Sequence, residues 1–319
     1  MTAIRAFAIA VAMLFPSIGM AQAPSRCEYV QIAAGFNQAA LAGGFSPEFA
    51  KWLQDPGPAG QYVEPFKAFD NVWYVGGCFV GSWALVTRDG VILIDTMYEP
   101  LVEMLVGNLH KAGIPLDAIK YVIVTHGHWD HVGGVGRLKG LLKNARFVMS
   151  EKGWLEAASD SRTPRDFAPW KMIEREMVVK DGDVITLGDT KLTLYETPGH
   201  TPGTISFGYD VVDGSRTYHA FTVGGLAVGP IRGSKLAEQF VQSVDRIERL
   251  ANDSQRPVHV YLATHANQTH DLAATSEGMR ARKGGGDNPF VGQAIFLKEL
   301  ARLRTAGEQK IVSEKEAGR

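Results

Sequence analysis

The spacing of apolar and polar positions changes several times along this chain, and each change marks a new kind of segment. Residues 6–15 form one apolar run behind a single charge, Arg5. Pro16-Ser17 interrupts it, and Ala21-Gln22-Ala23 then offers small residues in an A-x-A arrangement. Charge, run length and cleavage site together predict a secretory signal peptide over 1–23, cut after Ala23. Residues 24–70 read as a helical, loop-rich leader packed on the domain that follows. Within it Ser46-Pro47-Glu48 starts a helix, with serine as N-cap and proline at the first helical position, and Asp55-Pro56-Gly57-Pro58 stops it.

Short β runs follow over 72–75, 79–86 and 91–95, and Asp89-Gly90 between the last two is a hairpin signal. The pattern then alternates. A helix over 99–112 puts Leu101, Met104, Leu105 and Leu109 on one face, and a buried strand over 121–125, a helix near 135–143 and a strand over 146–149 come next. A second half holds strands near 177–179, 183–187, 191–196, 204–208 and 217–223, a helix over 236–251 and a strand over 258–263. After Gly284-Gly285-Gly286, Asn288-Pro289 opens a last helix to about residue 304. The domain therefore spans 71–305, and 306–319 is expected to be a frayed polar tail. Two successive β-then-α halves fit an α/β protein with two mixed sheets packed together and helices outside. An ordinary doubly wound sheet has the same periodicity, so the choice falls to the chemistry.

Composition narrows the function before any motif does. With 33 Lys+Arg against 34 Asp+Glu, the chain lacks the basic excess of a nucleic-acid binder, and no nucleic-acid partner is expected. Beyond the N-terminus no apolar run approaches the roughly 20 residues that span a bilayer. No cysteine sits right behind the first apolar run to carry a lipid, so no stable membrane anchor is expected. Export would place the protein in the periplasm or outside the cell, where Cys27 and Cys78, the two cysteines of the chain, could pair.

His126-Gly127-His128-Trp129-Asp130-His131 follows directly on the apolar strand over 121–125. In an extended strand end, residues i and i+2 point to the same side, so His126 and His128 can share one metal. Asp130 and His131, in the turn beyond, can point to a second position nearby. His200 lies in Thr197-Pro198-Gly199-His200-Thr201-Pro202-Gly203, a strand-to-strand loop, and His265 ends the strand Tyr261-Leu262-Ala263-Thr264. Together these residues supply two three-ligand sets, one all-His and one Asp/His/His. Zinc suits such nitrogen and oxygen donors, and three protein ligands leave a position open for water. His270 could compete with His265, whereas His110, His219 and His259 read as structural.

The motif His126-x-His128-x-Asp130-His131, the Pro-Gly-His200-Thr loop, the late His265 and Leu93-Ile94-Asp95-Thr96 ahead of the motif resemble the metallo-β-lactamase superfamily over nearly all of 66–305. The resemblance implies an αββα sandwich with metals between the sheets at one rim. Many superfamily hydrolases carry a bridging aspartate after the third histidine, but here Phe221-Thr222-Val223-Gly224-Gly225-Leu226 holds no carboxylate and no cysteine. What remains is similar to subclass B3, and so is Asn288-Pro289-Phe290-Val291. It implies two Zn2+ per chain, one on His126, His128 and His200, the other on Asp130, His131 and His265.

The function so implied is an exported zinc-dependent hydrolase that opens a β-lactam amide, a small-molecule substrate, with a hydroxide held between the metals. Asp130 would orient the nucleophile and pass a proton to the leaving group. Asp95 would accept from the second nitrogen of a ligating histidine and fix its tautomer. Subclass B3 enzymes often have serine where Gly225 stands, near the substrate carboxylate, so the missing hydroxyl is expected to weaken substrate binding. Trp129 either faces the substrate mouth or packs locally, and Trp154, Trp170 and 159–169 form a rim loop. Two alternatives remain open: a dizinc hydrolase of a lactone, ester, phosphate or sulfate ester, and a non-catalytic zinc-binding protein.

Overall fold

Short apolar runs cut by polar turns build the first sheet. A computed structural model of the chain describes residues 51–53, 57–166, 168–266, 269–282 and 286–319. The signal segment, the helix start at Ser46, Cys27 and Gly284-Gly285 lie outside the described residues. Phe66–Phe69 (β1), Val72–Tyr74 (β2), Trp83–Thr87 (β3), Gly90–Ile94 (β4), Ile119–Ile123 (β5), Arg146–Ser150 (β6) and Met177–Val179 (β7) lie in that order in one seven-stranded sheet. β1 to β4 form an antiparallel meander in which Asp89-Gly90 turns β3 into β4, and β4 to β7 are parallel. Parallel neighbours need crossovers. Helices α1 (Val102–Lys111), α2 (Trp129–Val132), α3 (Val135–Leu141) and α4 (Glu151–Asp160) lie in them.

The second sheet holds Val184–Leu187 (β8), Thr190–Glu196 (β9), Ile205–Asp213 (β10), Arg216–Thr222 (β11) and Val260–Tyr261 (β12). It is antiparallel from β8 to β11, with β12 parallel to β11 across helix α5 (Ser234–Ala251). Two more helices follow, α6 (Leu272–Ala281) and α7 (Gln293–Glu316). One continuous core joins the sheets, with Phe66, Tyr74, Trp83 and Leu93 from the first and Leu192, Leu194, Phe207 and Tyr209 from the second. A second core lies under α5 and α7, around Phe221, Phe240, Val244, Phe296 and Leu300. The result is the αββα sandwich. Trp83 ties the sheets near one end: its ring meets Tyr74 edge-on at 4.8 Å, and its Nε1 donates to the Ala263 carbonyl at 2.9 Å.

Several boundaries differ from expectation. β1 falls inside the expected leader and pairs with β2, so the sheet begins before residue 71. Residues 79–82 are loop, and β3 starts only at Trp83. The expected frayed tail is instead the C-terminal part of α7, where Lys310 and Glu314 are buried as an ion pair at 2.8 Å. Glu314 also accepts from the Gly233 N–H at 2.8 Å, which holds the helix end against the start of α5. Among the described residues no helix is long and apolar enough to cross a membrane.

Candidate metal centre

The loops that leave β4, β5, β9, β11 and β12 meet at one rim of the sandwich. Asp95 follows β4, and the His126 segment follows β5. His128 is the N-cap residue of α2, whose first turn carries Asp130 and His131. His200 lies between β9 and β10, and His265 just beyond β12. The structure brings these residues into two groups: His126, His128 and His200 in one, Asp130, His131 and His265 in the other.

In the first group His200 Nε2 lies 3.1 Å from both His126 Nε2 and His128 Nδ1. The tautomers follow from the far side of each ring. His200 Nδ1 donates to the Ala227 carbonyl at 2.6 Å, so its Nε2 carries a lone pair. Thr125 Oγ1 donates to Asp95 Oδ2 at 3.0 Å and so accepts from His126 Nδ1, also at 3.0 Å. His126 Nε2 is therefore unprotonated too. Two lone pairs facing each other at this distance repel unless a cation lies between them. Nitrogens bound to one tetrahedral zinc at 2.0–2.1 Å lie about 3.3 Å apart, so the donor set fits such an ion.

In the second group His131 Nε2 and His265 Nε2 are 3.0 Å apart, and Asp130 Oδ2 lies 3.6 and 3.5 Å from them. His265 Nδ1 donates to the Phe79 carbonyl at 2.6 Å. His131 Nδ1 donates to Asp95 Oδ2 at 2.6 Å. Asp95, in a left-handed conformation (φ 58°), also accepts from the Thr125 N–H at 2.7 Å. One fully buried carboxylate thus orients a histidine in each group, directly in one and through Thr125 in the other.

Burial, reinforced by the neighbouring imidazoles, holds His126 and His128 well below the usual imidazole range. It pushes His200 down to about 4 and His265 down to about 3. All four are neutral at pH 7, as metal binding requires. Burial would lower His131 as well, but the Asp130 and Asp95 carboxylates outweigh it and hold it above the usual range. Burial pushes the Asp130 carboxyl up, against the pull of His131.

The other singled-out residues lie elsewhere. Gly225 is buried against His200: a Cβ there would stand 2.5 Å from His200 Cγ and 2.8 Å from Cδ2. A serine at 225 would collide with the imidazole, so the expected role of this position in substrate binding gives way to a steric one. Trp129 is buried, edge-on to Tyr98 at 4.9 Å and stacked on Phe79 at 6.2 Å. Trp154 is core, its Nε1 donating to the Met177 carbonyl. His270 packs on Phe290 at 4.4 Å and belongs to neither group. His219 pairs with Asp210, and His110 is exposed on α1. A cavity of about 310 Å³ opens beside the first group, lined by His128, His200, Glu156, Asp160, Thr201 and Arg232. Sequence reasoning missed the Ala227 and Phe79 carbonyls, which have no residue-type signature. It also missed Glu156 on α4, for which the Trp154-x-x-Ala157 spacing behind Ser150 was the available signal.

A sequence model of the metallo-beta-lactamase superfamily matches residues 75–213. A hydroxyacylglutathione hydrolase of Rhodopseudomonas palustris (strain BisB5) is 33% identical over 213 residues, 66% of this chain and 69% of that protein. Two further relatives are spanned over only 39% and 56% of their own lengths. Among solved structures, the FEZ-1 metallo-beta-lactamase from Legionella gormanii aligns with a TM-score of 0.70 at 24% identity, over 80% of this chain and 98% of that one. BJP-1, a subclass B3 metallo-beta-lactamase of Bradyrhizobium japonicum, aligns with a TM-score of 0.68 at 25% identity, over 80% and 96%.

Proposed function

We propose, from the premise that this chain belongs to the metallo-β-lactamase superfamily, that it is an exported dizinc hydrolase acting on a β-lactam amide. The observation that carries the zinc chemistry is the pair of three-donor groups, in the first of which the unprotonated His126 and His200 nitrogens face one another at 3.1 Å. Two zinc ions held there, one by His126, His128 and His200 and one by Asp130, His131 and His265, would polarise a carbonyl and lower the pKa of water.

The chain's own residues do the rest. Asp95, Thr125 and the Ala227 and Phe79 carbonyls fix four imidazole rings, so that little reorganisation is needed during reaction. Asp130 would take the proton of the attacking water on the carboxylate oxygen that does not face His131 and His265, and return it to the departing nitrogen. The cavity beside His128 and His200 receives the body of the substrate, and the Arg232 cation on its wall complements a carboxylate.

The absence of a carboxylate in 221–226 and the likeness to BJP-1 along nearly its whole length support the β-lactam reading. The hydroxyacylglutathione hydrolase relative supports a second one, hydrolysis of a thioester by the same centre. Export is supported by the Arg5, apolar-run and Ala21-Gln22-Ala23 pattern. It is also supported by Cys78, which is disulfide-bonded, as befits an oxidising compartment.

The deciding experiment assays the zinc-loaded mature protein against a carbapenem, a cephalosporin, a hydroxyacylglutathione thioester, a lactone and a phosphodiester. β-Lactam opening that stops on chelation and returns with zinc is expected. Turnover of the thioester alone would replace the first reading with the second. Cleavage after Ala23 is checked by N-terminal sequencing of the protein from a bacterial host, and recovery with Met1 intact would overturn export.

A further inference from the structure

We propose that Glu156 is a positioning residue that sets the zinc affinity of the His126/His128/His200 group and leaves that of the other group untouched. The inference rests on the dizinc reading above. Glu156 lies on α4, far in sequence from both loops it touches. Its Oε2 accepts from Thr201 Oγ1 at 2.8 Å and its Oε1 from the Gly203 N–H at 2.6 Å. The Gly127 N–H donates to the same carboxylate. Gly127 stands between His126 and His128, and Thr201 directly follows His200. Every donor to this carboxylate therefore belongs to one of the two loops that carry the first group, within three residues of a donor histidine. The second group is oriented instead by Asp95 and the Phe79 carbonyl.

Close packing makes the tie rigid. A Cβ on Gly127 would come within 2.5 Å of Glu156 Cβ and 2.6 Å of the Ala157 nitrogen. A Cβ on Gly203 would come within 2.6 Å of Gly153 Cα. Helix α4 is thus wedged between the two loops with no room for a side chain on either. At its start, Ser150 Oγ donates to the Gly203 carbonyl at 2.6 Å while capping the Gly153 N–H at 3.0 Å. Without the carboxylate, three donors lose their acceptor, and the separation of His200 from His126 and His128 is no longer fixed.

The test uses single-group backgrounds of the mature protein. His265→Ala leaves the first group complete, and His200→Ala leaves the second. Zinc affinity is measured by competition with a chromophoric chelator, and folding of the metal-free proteins by thermal melting. Glu156→Ala is expected to weaken zinc binding roughly 10–100-fold in the His265→Ala background, the range for lost partners of metal ligands. No change is expected in the His200→Ala background. Glu156→Gln keeps one carbonyl oxygen and can donate to Thr201 Oγ1, so it should restore most of the loss and weaken binding only about 3–10-fold. If Glu156→Ala does not fold, the Gln variant carries the test. Equal weakening in both backgrounds, or none in the first, overturns the inference. A wild-type chain that takes up fewer than two zinc ions fails the dizinc reading instead, and the metal content of the unmutated protein distinguishes the two failures.

Discussion

Replacing Gly225 with serine separates two ideas about the mouth of the site. Comparison with subclass B3 suggests that a hydroxyl here would reach the substrate and improve its binding. The packing says otherwise. The new Cβ would sit 2.5 Å from His200 Cγ, where ordinary contact needs about 3.5–4 Å, so the ring must retreat by about 1 Å. That movement strains the 2.6 Å hydrogen bond from His200 Nδ1 to the Ala227 carbonyl. It also shifts Nε2 well beyond the roughly 0.2 Å tolerance of a metal site. Overpacking of this kind costs about 1–3 kcal/mol, and at 1.4 kcal/mol per decade that is about 5–150-fold in zinc affinity. Chelator competition on Gly225→Ser in the His265→Ala background should show this loss, and with His265 intact the Gly225→Ser protein should lose turnover at limiting zinc and recover it at excess. A Gly225→Ser protein with unchanged zinc affinity and a lowered KM would refute the steric argument and restore the hydroxyl to the substrate.

Three further outcomes are expected. Asp95→Asn puts an amide where one carboxylate receives three donors, so zinc affinity should fall roughly 10–100-fold in both groups; an effect confined to one group would count against the shared role. In the metal-free protein, His126, His128, His200 and His265 have lowered folded-state pKa values, so the unfolded chain binds more protons and the stability they give is present above pH 6.5 and lost as pH falls through about 4 for His200 and about 3 for His265. His131, held up, gives stability that is complete below pH 6.5 and lost as pH rises above it, and the carboxyls of Asp130, Glu156 and Asp160, raised by burial, oppose the trend at the acid end. The unfolding free energy from urea titration should therefore drop between pH 7 and 4.5, by about 2–3 kcal/mol from His200 alone, and a flat profile would contradict the burial argument. Finally, Asn108→Ala removes a buried side chain whose Nδ2 donates to the Val63 and Val75 carbonyls at 3.1 Å; stability should fall about 1–3 kcal/mol while zinc stoichiometry stays the same.

What could be read from the residues depended on whether their chemistry has a type. Imidazole and carboxylate side chains at strand ends announce themselves, and the same residues stand together in the fold. The acceptors that set their tautomers at Ala227 and Phe79 are main-chain carbonyls, which any residue supplies. Helix α4 has a weak signature because Gly153 lowers its propensity and only Gly153, Trp154 and Ala157 face inward. β1 is four residues long with one exposed lysine, too short for an alternation to register. The end of α7 looked like a polar tail because its buried positions there include Lys310 and Glu314, which compensate each other's charge. In β10 the strand runs on to Asp213, where Asp213-Gly214 starts the turn into β11, the same hairpin dipeptide as Asp89-Gly90.

Neither half of the chain owns a complete donor group among the described residues. The stretch up to β7 supplies His126, His128, Asp130 and His131, and the stretch from β8 onward supplies His200 and His265. Even the acceptor that aims His265 belongs to the opposite half, at Phe79. A chain severed in the turn at 180–183 would therefore yield two fragments, each unable to hold zinc tightly by itself. Their reassembly would be coupled to the ion, because every ion that binds bridges one fragment to the other. Fragment complementation would then respond to zinc steeply, and a reporter fused to each half would read metal concentration as proximity.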